Sequence, residues 1–208
     1  MEEIFMEINK IKKLTTLAET KFLSMYKADY VNKSGKEKSW IIASRKTKED
    51  LSEQYFNGKE GKVDAVVVLG FHKEEKKLII IKQFRVPLND YIYELPAGLI
   101  DPEENIFTTV ERELREETGL KLEEIIKEKS GKQLYLSAGM TDESVSLAYC
   151  ICSGEISKDN LEEDEDIETI LVSREEAKEL LLKDEKFDIK AFMALQSFVA
   201  LGEDLFKK

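Results

Sequence analysis

The feature that most constrains this chain is a spaced pattern of glycine, glutamate and arginine in residues 98–120. Gly98 is followed after five residues by Glu104, and after seven more by a segment that begins at Arg112 and reads RELREETGL. The whole pattern is G-x5-E-x7-R-E-U-x-E-E-x-G-U, in which U is an apolar aliphatic residue. Composition alone does not account for a match at this many fixed positions, even in a chain rich in glutamate.

The spacing of three glutamates in this segment predicts a joint chemistry. Glu113, Glu116 and Glu117 fall at positions i, i+3 and i+4, so a helix places all three on one face. Carboxylate oxygens held on a rigid helix are the ligands that Mg²⁺ or Mn²⁺ prefers. The alternative is a solvated acidic face, which is the usual meaning of a charge run, but the match to the complete pattern favours a metal site.

Other residues of the segment support the same helix. Gly98 permits a tight loop before it, and Gly119 suits the left-handed position that ends it. Val110, Leu114 and Leu120 supply the face that is expected to be buried.

Composition limits the class of protein and its partners. The chain has 208 residues, of which 42% are hydrophobic, and this is enough for a packed core. The net charge of −11 argues against recognition of nucleic acid through a basic surface. An anionic substrate is therefore expected to be held by metal ions and a few local cations.

The chain also lacks the sequence signals of a membrane or secreted protein. No apolar run approaches the roughly 20 residues of a membrane span, and the first residues do not resemble a signal peptide, which predicts a cytoplasmic protein. Cys150 and Cys152, the only cysteines, alternate on an apolar strand and are expected to be buried and reduced. His72, the only histidine, is expected in a polar hairpin turn, which argues against histidine-based catalysis.

The hydrophobic pattern predicts an α/β fold in two regions. Residues 1–60 carry strand signals that include a hairpin over residues 21–45, and they predict a small N-terminal antiparallel sheet. Residues 61–208 mix strands and helices, which predicts an α/β sandwich with a mixed sheet. Its strands are expected over residues 63–70, 77–84, 91–95, 132–136, 145–152 and 167–172.

Three helices are expected in the second region. The first spans residues 104–118, and the second opens at a capping box of Ser173 and Glu176. The third follows Asp188. Its apolar residues are Ile189, Phe192, Met193, Leu195 and Phe198.

Residues 98–120 match the Nudix box, and the chain resembles a Nudix hydrolase. Residues 82–87 (KQFRVP) and 94–101 (ELPAGLID) resemble the ADP-ribose pyrophosphatase, or ADP-sugar diphosphatase, branch of that family. Weaker likenesses to the branch lie at residues 38–45, 137–143 and 163–168. The resemblance covers roughly residues 20–205. It implies a Nudix α/β/α sandwich preceded by the small N-terminal sheet.

The resemblance implies a site for two or three Mg²⁺ ions, with Mn²⁺ as an alternative metal. The backbone carbonyl of Ala97 and the carboxylates of Glu113 and Glu117 would bind metal. Glu116 would share a further ion. Arg112 would pair with the box carboxylates and brace the preceding loop.

The resemblance also implies how substrate is held. Arg85 would contact the diphosphate, Glu94 would lie near the metals and the substrate, and Trp40 would stack on the nucleobase. The N-terminal sheets of two chains would exchange to build the base pocket, so that the protein would be a homodimer. The residue types leave alternatives open, because Trp40 can instead be a packing or dimer contact and Arg85 a surface ion-pair partner.

The glutamate that activates water would lie in a loop before a late strand, which matches Glu163-Asp164-Glu165. Glu163 and Glu165 are nearly equal candidates, with a slight preference for Glu163, and the rest of the acidic run is expected to be solvated. Glu143 either takes part in the substrate site or orders its own loop.

One departure from the branch concerns the loop that ends at Glu143. The branch commonly has Ser-Pro-Gly where this chain has Ser137-Ala138-Gly139, so the loop is less rigid here. The departure concerns the contacts with the terminal ribose, and hence the identity of the substrate, and does not involve the metal site.

These implications predict a Mg²⁺-dependent hydrolase that cleaves ADP-ribose, or a related nucleoside diphosphate sugar, to AMP and a sugar phosphate. The first alternative is the same chemistry on a GDP-sugar, NADH or another nucleotide. The second is a catalytically dead Nudix module that senses a nucleotide, and the complete set of box carboxylates disfavours it.

Overall fold

A computed structural model of the chain describes residues 10–163 and 165–208. The first nine residues of the predicted N-terminal region, and Asp164 of the acidic loop, lie outside the described residues. The described chain divides into two compact units, one of residues 10–64 with 135–144 and one of residues 65–134 with 145–208. The sequence analysis had placed the segment 135–144 with the second region.

The first unit contains a three-stranded antiparallel sheet. Its strands are β1 (Ile11–Glu19), β2 (Ser24–Val31) and β3 (Glu37–Ser44), in that spatial order. The predicted hairpin is therefore present as β2 and β3, with Asp29 opposite Ser39 and Met25 opposite Ala43.

A helix that was not predicted follows this sheet. It is α1 (Lys48–Asn57), and the Thr47 side chain caps it by accepting a hydrogen bond from the Asp50 backbone N–H. Its one buried residue, Leu51, packs with Leu14, Tyr26 and Ala28 in the core of this unit.

The second unit is built on an eight-stranded mixed sheet. Its strands are β4 (Ala65–His72), β5 (Lys77–Arg85), β6 (Asp90–Glu94), β7 (Ala97–Leu99), β8 (Lys121–Ile125), β9 (Gly131–Tyr135), β10 (Ser144–Ser153) and β11 (Ile167–Val172). The main path runs β11-β5-β4-β10-β8, with β10 parallel to β4 and the other pairs of that path antiparallel. Every residue of β4 is buried, as expected for a strand covered on both faces.

Helices cover both faces of the larger sheet, and each face of the sheet packs against them through its own apolar core. The box helix α2 (Ile106–Thr118) packs Val110 and Leu114 against one face. The helices α3 (Arg174–Leu180) and α4 (Ile189–Leu201) bury Leu195 and other apolar residues against the opposite face. This is the expected α/β/α sandwich preceded by a small sheet, so the fold class is confirmed.

The structure shows where the two cysteines, the histidine and the apolar residues of the last helix lie. Cys150 and Cys152 are free and buried, as predicted. His72 is not in the turn but ends β4 in a buried position, where its Nε2 lies 2.9 Å from the Gly154 carbonyl oxygen, which accepts the hydrogen bond. Among the apolar residues that predicted α4, Ile189 and Met193 are exposed.

Within the described residues, no helix combines the length and apolar content required to cross a bilayer.

Candidate active site

At Gly98 the Glu113 side chain of the box helix comes so close to the backbone that it leaves no room for a Cβ atom. Gly98 lies in β7, opposite Val66 of β4, and faces the box helix. A Cβ atom at this position would lie 1.8 Å from Oε1 of Glu113 and 2.0 Å from its Cδ. The glycine of the pattern is therefore required because the Glu113 carboxylate occupies the space of a side chain.

Replacing Gly98 by alanine is expected to displace Glu113, lowering turnover. Crowding of this kind also lowers the free energy of unfolding by about 1–3 kcal/mol. Gly61→Ala is the matched control, because its Cβ would approach only the flexible end of the Gln54 side chain. Denaturant unfolding and turnover of both variants make the comparison, and wild-type values for Gly98→Ala would contradict this account of the glycine.

Arg112 braces the loop before the box helix. Its Nε and Nη2 donate to the two carboxylate oxygens of Glu104 at 2.8 and 2.9 Å, and Nη2 also donates to the Leu99 carbonyl at 3.0 Å. Its Nη1 donates to Glu113 Oε1 at 2.8 Å and to Glu116 Oε2 at 2.9 Å. Hydrogen bonds from Arg112 lower the pKa of Glu104 to about 2. The first glutamate of the pattern, which the sequence analysis gave no role, is thus the main partner of this arginine.

Two glutamates of the box helix are buried carboxylates. Glu113 is 7% exposed and Glu117 only 3%. Burial raises the pKa of Glu113 to about 7, against the opposing effect of Arg112. Burial, followed by the charge of Glu113, raises the pKa of Glu117 well above its usual range. The Ala97 backbone N–H donates to Glu117 Oε2 at 3.0 Å, so Ala97, Glu113 and Glu117 are brought together.

The chemistry of this donor set fits a divalent cation. Its side-chain donors are all carboxylate oxygens, and two of them are buried where a negative charge is unfavourable without a counter-charge. Arg112 offsets Glu113, whereas the bond that Glu117 accepts comes from a neutral amide. As the side chains stand, no three His, Cys, Asp or Glu residues in the described part of the chain converge on one metal position.

Arg85 and Glu94 form a bidentate ion pair. Arg85 Nε donates to Glu94 Oε1 and its Nη2 donates to Oε2, both at 2.7 Å. This pair raises the pKa of Arg85, and the charge of Glu117 contributes to the same shift. Both residues therefore belong to the neighbourhood of the box helix. The Arg85 contact with a diphosphate stays a prediction.

The two glutamates of the acidic loop differ in their surroundings. Glu163 is exposed, whereas Glu165 is half-buried and its Oε2 accepts a hydrogen bond from the Glu162 backbone N–H at 2.9 Å. The negative charge of Glu165 contributes to the raised pKa of both Glu113 and Glu117. Of the two, Glu165 is the residue whose charge acts on the box glutamates, and which of them activates water stays a prediction.

Trp40 belongs to the first unit, where it lines an aromatic cavity. Its side chain is 55% exposed and its Nε1 donates to the Gly139 carbonyl at 3.0 Å. The cavity has a volume of about 300 Å³, and Ile42, Tyr55, Tyr135 and residues 138–142 form the rest of its wall. A half-exposed indole on a cavity wall is not a core residue, and its face is open to a planar ring.

Glu143 and a lysine overlooked in the sequence order the loop that borders this cavity. Glu143 Oε1 accepts from Arg45 Nε at 2.6 Å, which matches a loop-ordering role. The buried Lys46 ammonium lies 2.8 Å from Asp142 and 3.1 Å from Asp64. Because these partners are far apart in sequence, no local motif indicated the Lys46 network.

Comparison with known proteins agrees with this geometry. A family model described as "NUDIX domain" matches residues 61–195. The chain is 37% identical over 159 residues to an ADP-ribose pyrophosphatase of Bacillus subtilis, a match that covers 72% of this chain and 82% of that protein. It is 36% identical over 106 residues to an ADP-ribose pyrophosphatase of Saccharomyces cerevisiae, but this match covers 49% of this chain and only 42% of that longer protein.

A solved structure described as an ADP compounds hydrolase has the same fold. Its TM-score is 0.67 over 92% of this chain and 95% of that one, at 18% sequence identity, which is a likeness of fold alone. The family model covers the strands that hold Gly98, Arg85 and Glu94, the box helix and the acidic loop. The spacing of the glutamates, their burial around Gly98 and these similarities lead to one conclusion: the chain belongs to the Nudix hydrolase family.

Proposed function

We propose that this Nudix pyrophosphohydrolase uses Mg²⁺ to cleave ADP-ribose, or a closely related ADP-sugar, to AMP and a sugar phosphate. The observation that carries the proposal is the pair of buried carboxylates, Glu113 and Glu117, for which a cation would supply the missing counter-charge. The choice of substrate is supported by two relatives described as ADP-ribose pyrophosphatases. The open indole of Trp40 is consistent with a base-binding role.

The proposed reaction is hydrolysis of one phosphorus–oxygen bond of the diphosphate. A bound divalent ion would neutralise diphosphate charge and make a nearby water more acidic. Glu113 and Glu117, with the Ala97 carbonyl, would hold the first ion and Glu116 would share another. Glu165 would accept the proton of the attacking water, and the released phosphate group would leave with the bridging oxygen.

Two arginines would have different parts in this reaction. Arg112 would keep the box carboxylates in place through its bonds to Glu113 and Glu116. The planar fork of Arg85 suits a pair of diphosphate oxygens, and it would exchange its bonds to Glu94 for bonds to substrate. Neither arginine forms a covalent link, so the contribution of the chain is positioning and electrostatics.

A substrate panel is the direct test of the proposed function. ADP-ribose, a GDP-sugar and NADH would be incubated with the protein, with and without Mg²⁺, and the nucleoside monophosphate measured. The proposal requires AMP release from ADP-ribose that depends on Mg²⁺ and exceeds hydrolysis of the other two. Faster cleavage of the GDP-sugar or NADH would identify that compound, and not ADP-ribose, as the preferred substrate. Tight nucleotide binding without cleavage of any compound would indicate a sensing module.

Trp40→Ala is expected to raise KM for ADP-ribose more than it lowers kcat. Stacking on the base binds the ground state and the transition state alike, so its loss weakens binding uniformly. Because Trp40 is the only tryptophan, its fluorescence should be quenched as ADP-ribose saturates the wild-type protein. Unchanged fluorescence at saturation, together with an unchanged KM in the variant, would remove Trp40 from the base site.

The predicted homodimer with exchanged N-terminal sheets is part of this proposal. The three-stranded sheet leaves apolar side chains exposed, among them Leu17, Met25 and Ile41. A sheet this small is stabilised by a partner surface on such a face. Light scattering is expected to give the mass of two chains, and a monomer at working concentration would contradict the exchanged-sheet arrangement.

A further inference from the structure

The end of the acidic loop is anchored next to Glu165, at Asp166. The Phe84 backbone N–H donates to the Asp166 carbonyl at 3.2 Å, immediately before β11 begins at Ile167. Glu165 itself lies in a local turn, in which its backbone N–H donates to the Glu162 carbonyl at 3.1 Å and its Oε2 accepts from the Glu162 backbone N–H at 2.9 Å. Because Asp166 directly follows Glu165, the bonds that fix Asp166 also limit the positions that the Glu165 carboxylate can take.

A tyrosine from a neighbouring strand supplies a second bond to the same anchor. Tyr91 lies in β6, opposite Phe84 of β5, and the centres of the two rings are 5.5 Å apart in an edge-on arrangement. Its hydroxyl donates to Oδ2 of Asp166. The ring contact sets the direction of the tyrosine side chain, and the hydroxyl then restrains the Asp166 carboxylate.

We infer that Tyr91 is a positioning residue, which acts through Asp166 to keep the Glu165 carboxylate facing the buried glutamates of the box helix. The inference rests on the proposed function, in which Glu165 accepts the proton of water. The Glu113 and Glu117 carboxylates repel the Glu165 carboxylate, since the charge of Glu165 acts on both. A loop with an exposed, acidic sequence would move away from such a cluster unless it were tied at its end. The Tyr91–Asp166 bond is that tie.

Tyr91 is therefore expected to affect kcat and not the binding of substrate. Removing the hydroxyl leaves the ring contact with Phe84 and the pairing of β5 with β6 in place. The loop then spends less of its time with Glu165 directed at the site. A base that is correctly placed for a smaller fraction of the time lowers kcat, while the groups that hold the substrate are unchanged.

The test uses Tyr91→Phe, Asp166→Ala and the double variant of the full chain, with ADP-ribose and Mg²⁺. Alanine removes the acceptor, whereas the oxygen of an asparagine could still accept from the Tyr91 hydroxyl. Each single variant is expected to lose about tenfold in kcat, as for one hydrogen bond to a charged group, with KM within twofold of wild type. The double variant should lose no more than either single variant, because both remove the same bond. Tyr30→Phe, on β2 of the first unit, is the control and should keep wild-type kcat.

A readout without catalysis separates positioning from general stability. Hydrogen exchange should become faster at the backbone amides of residues 161–163, 165 and 166 in Tyr91→Phe, while exchange in β5 and β6 and the melting temperature stay at wild-type values. A wild-type kcat in Tyr91→Phe would overturn the inference, even where Glu165→Gln is inactive and the proposed function stands. Equal kcat losses in Tyr91→Phe and Tyr30→Phe, or faster exchange throughout β5 and β6, would also overturn it.

Discussion

Glu117→Gln is expected to lower kcat by at least about a hundredfold while leaving the fold intact. The substitution is nearly isosteric, and the glutamine oxygen can still accept the hydrogen bond from the Ala97 N–H. What it removes is the negative charge that would hold a hard cation. Glu111→Gln is the matched control, because Glu111 lies on the exposed side of the same helix. Wild-type turnover of Glu117→Gln at saturating Mg²⁺ would contradict its assignment as a metal ligand.

The same variant is expected to be more stable than wild type when no metal is present. Burial raises the folded-state pKa of Glu113 to about 7 and raises that of Glu117 well above the ordinary value of 4.5. For a carboxyl with a raised folded pKa, stability is greatest below the unfolded value and is lost as pH rises through the folded value. In EDTA, the wild-type melting temperature should therefore fall between pH 4.5 and 7, and Glu117→Gln should fall less.

Addition of Mg²⁺ at pH 8 should reverse this order. Binding of the ion to the folded state raises the melting temperature of the wild-type protein, whereas the variant gains little. Identical metal-free melting curves for both proteins across this pH range would show that the buried charge has no energetic cost.

The sequence predicted the main elements because their apolar residues recur with the period of a strand or a helix. The buried strands β4 and β5, and the box helix, follow directly from such patterns. Helix α1 was missed because Leu51 is its only buried residue and Tyr55 is only partly buried beside it, although the Thr47 cap was a usable local signal. Ile189 and Met193 belong to the apolar pattern of α4 but are exposed, because periodicity does not distinguish an apolar residue that packs from one that stays exposed.

The site was predictable to the extent that it is local. The i, i+3 and i+4 spacing of the box glutamates fixes their common face, and Arg112 reaches them from the same helix. The bonds that depend on strand register were not predictable from the sequence. The Arg85–Glu94 pair requires β5 beside β6, and the Tyr91–Asp166 bond also requires the start of β11 to pair with β5. The preference between Glu163 and Glu165 depends on the same long-range pairing.

Glu165→Gln is expected to lower kcat by roughly 10²–10⁴-fold with KM little changed, because a general base acts only on the chemical step. The carboxylates of the box helix are committed to holding metal, so a separate proton acceptor is needed. Glu165 is the half-buried loop residue whose charge acts on both buried glutamates, whereas Glu163 is exposed. Glu163→Gln is therefore the matched control and should stay within a few-fold of wild type. Glu143→Gln should have a similarly small effect, because Glu143 is paired with Arg45.

Measuring kcat from pH 6 to 9 adds an independent check on the base. The acidic limb of the wild-type profile reports deprotonation of groups needed for catalysis, and the profile of Glu165→Gln is compared with it. The residual activity of the variant should rise with hydroxide concentration, since hydroxide can replace the missing acceptor. A large kcat loss in Glu143→Gln, with both loop variants near wild type, would instead assign the base to the loop that ends at Glu143. A loss confined to Glu163→Gln would restore the preference for that residue and would require the acidic loop to turn when substrate binds.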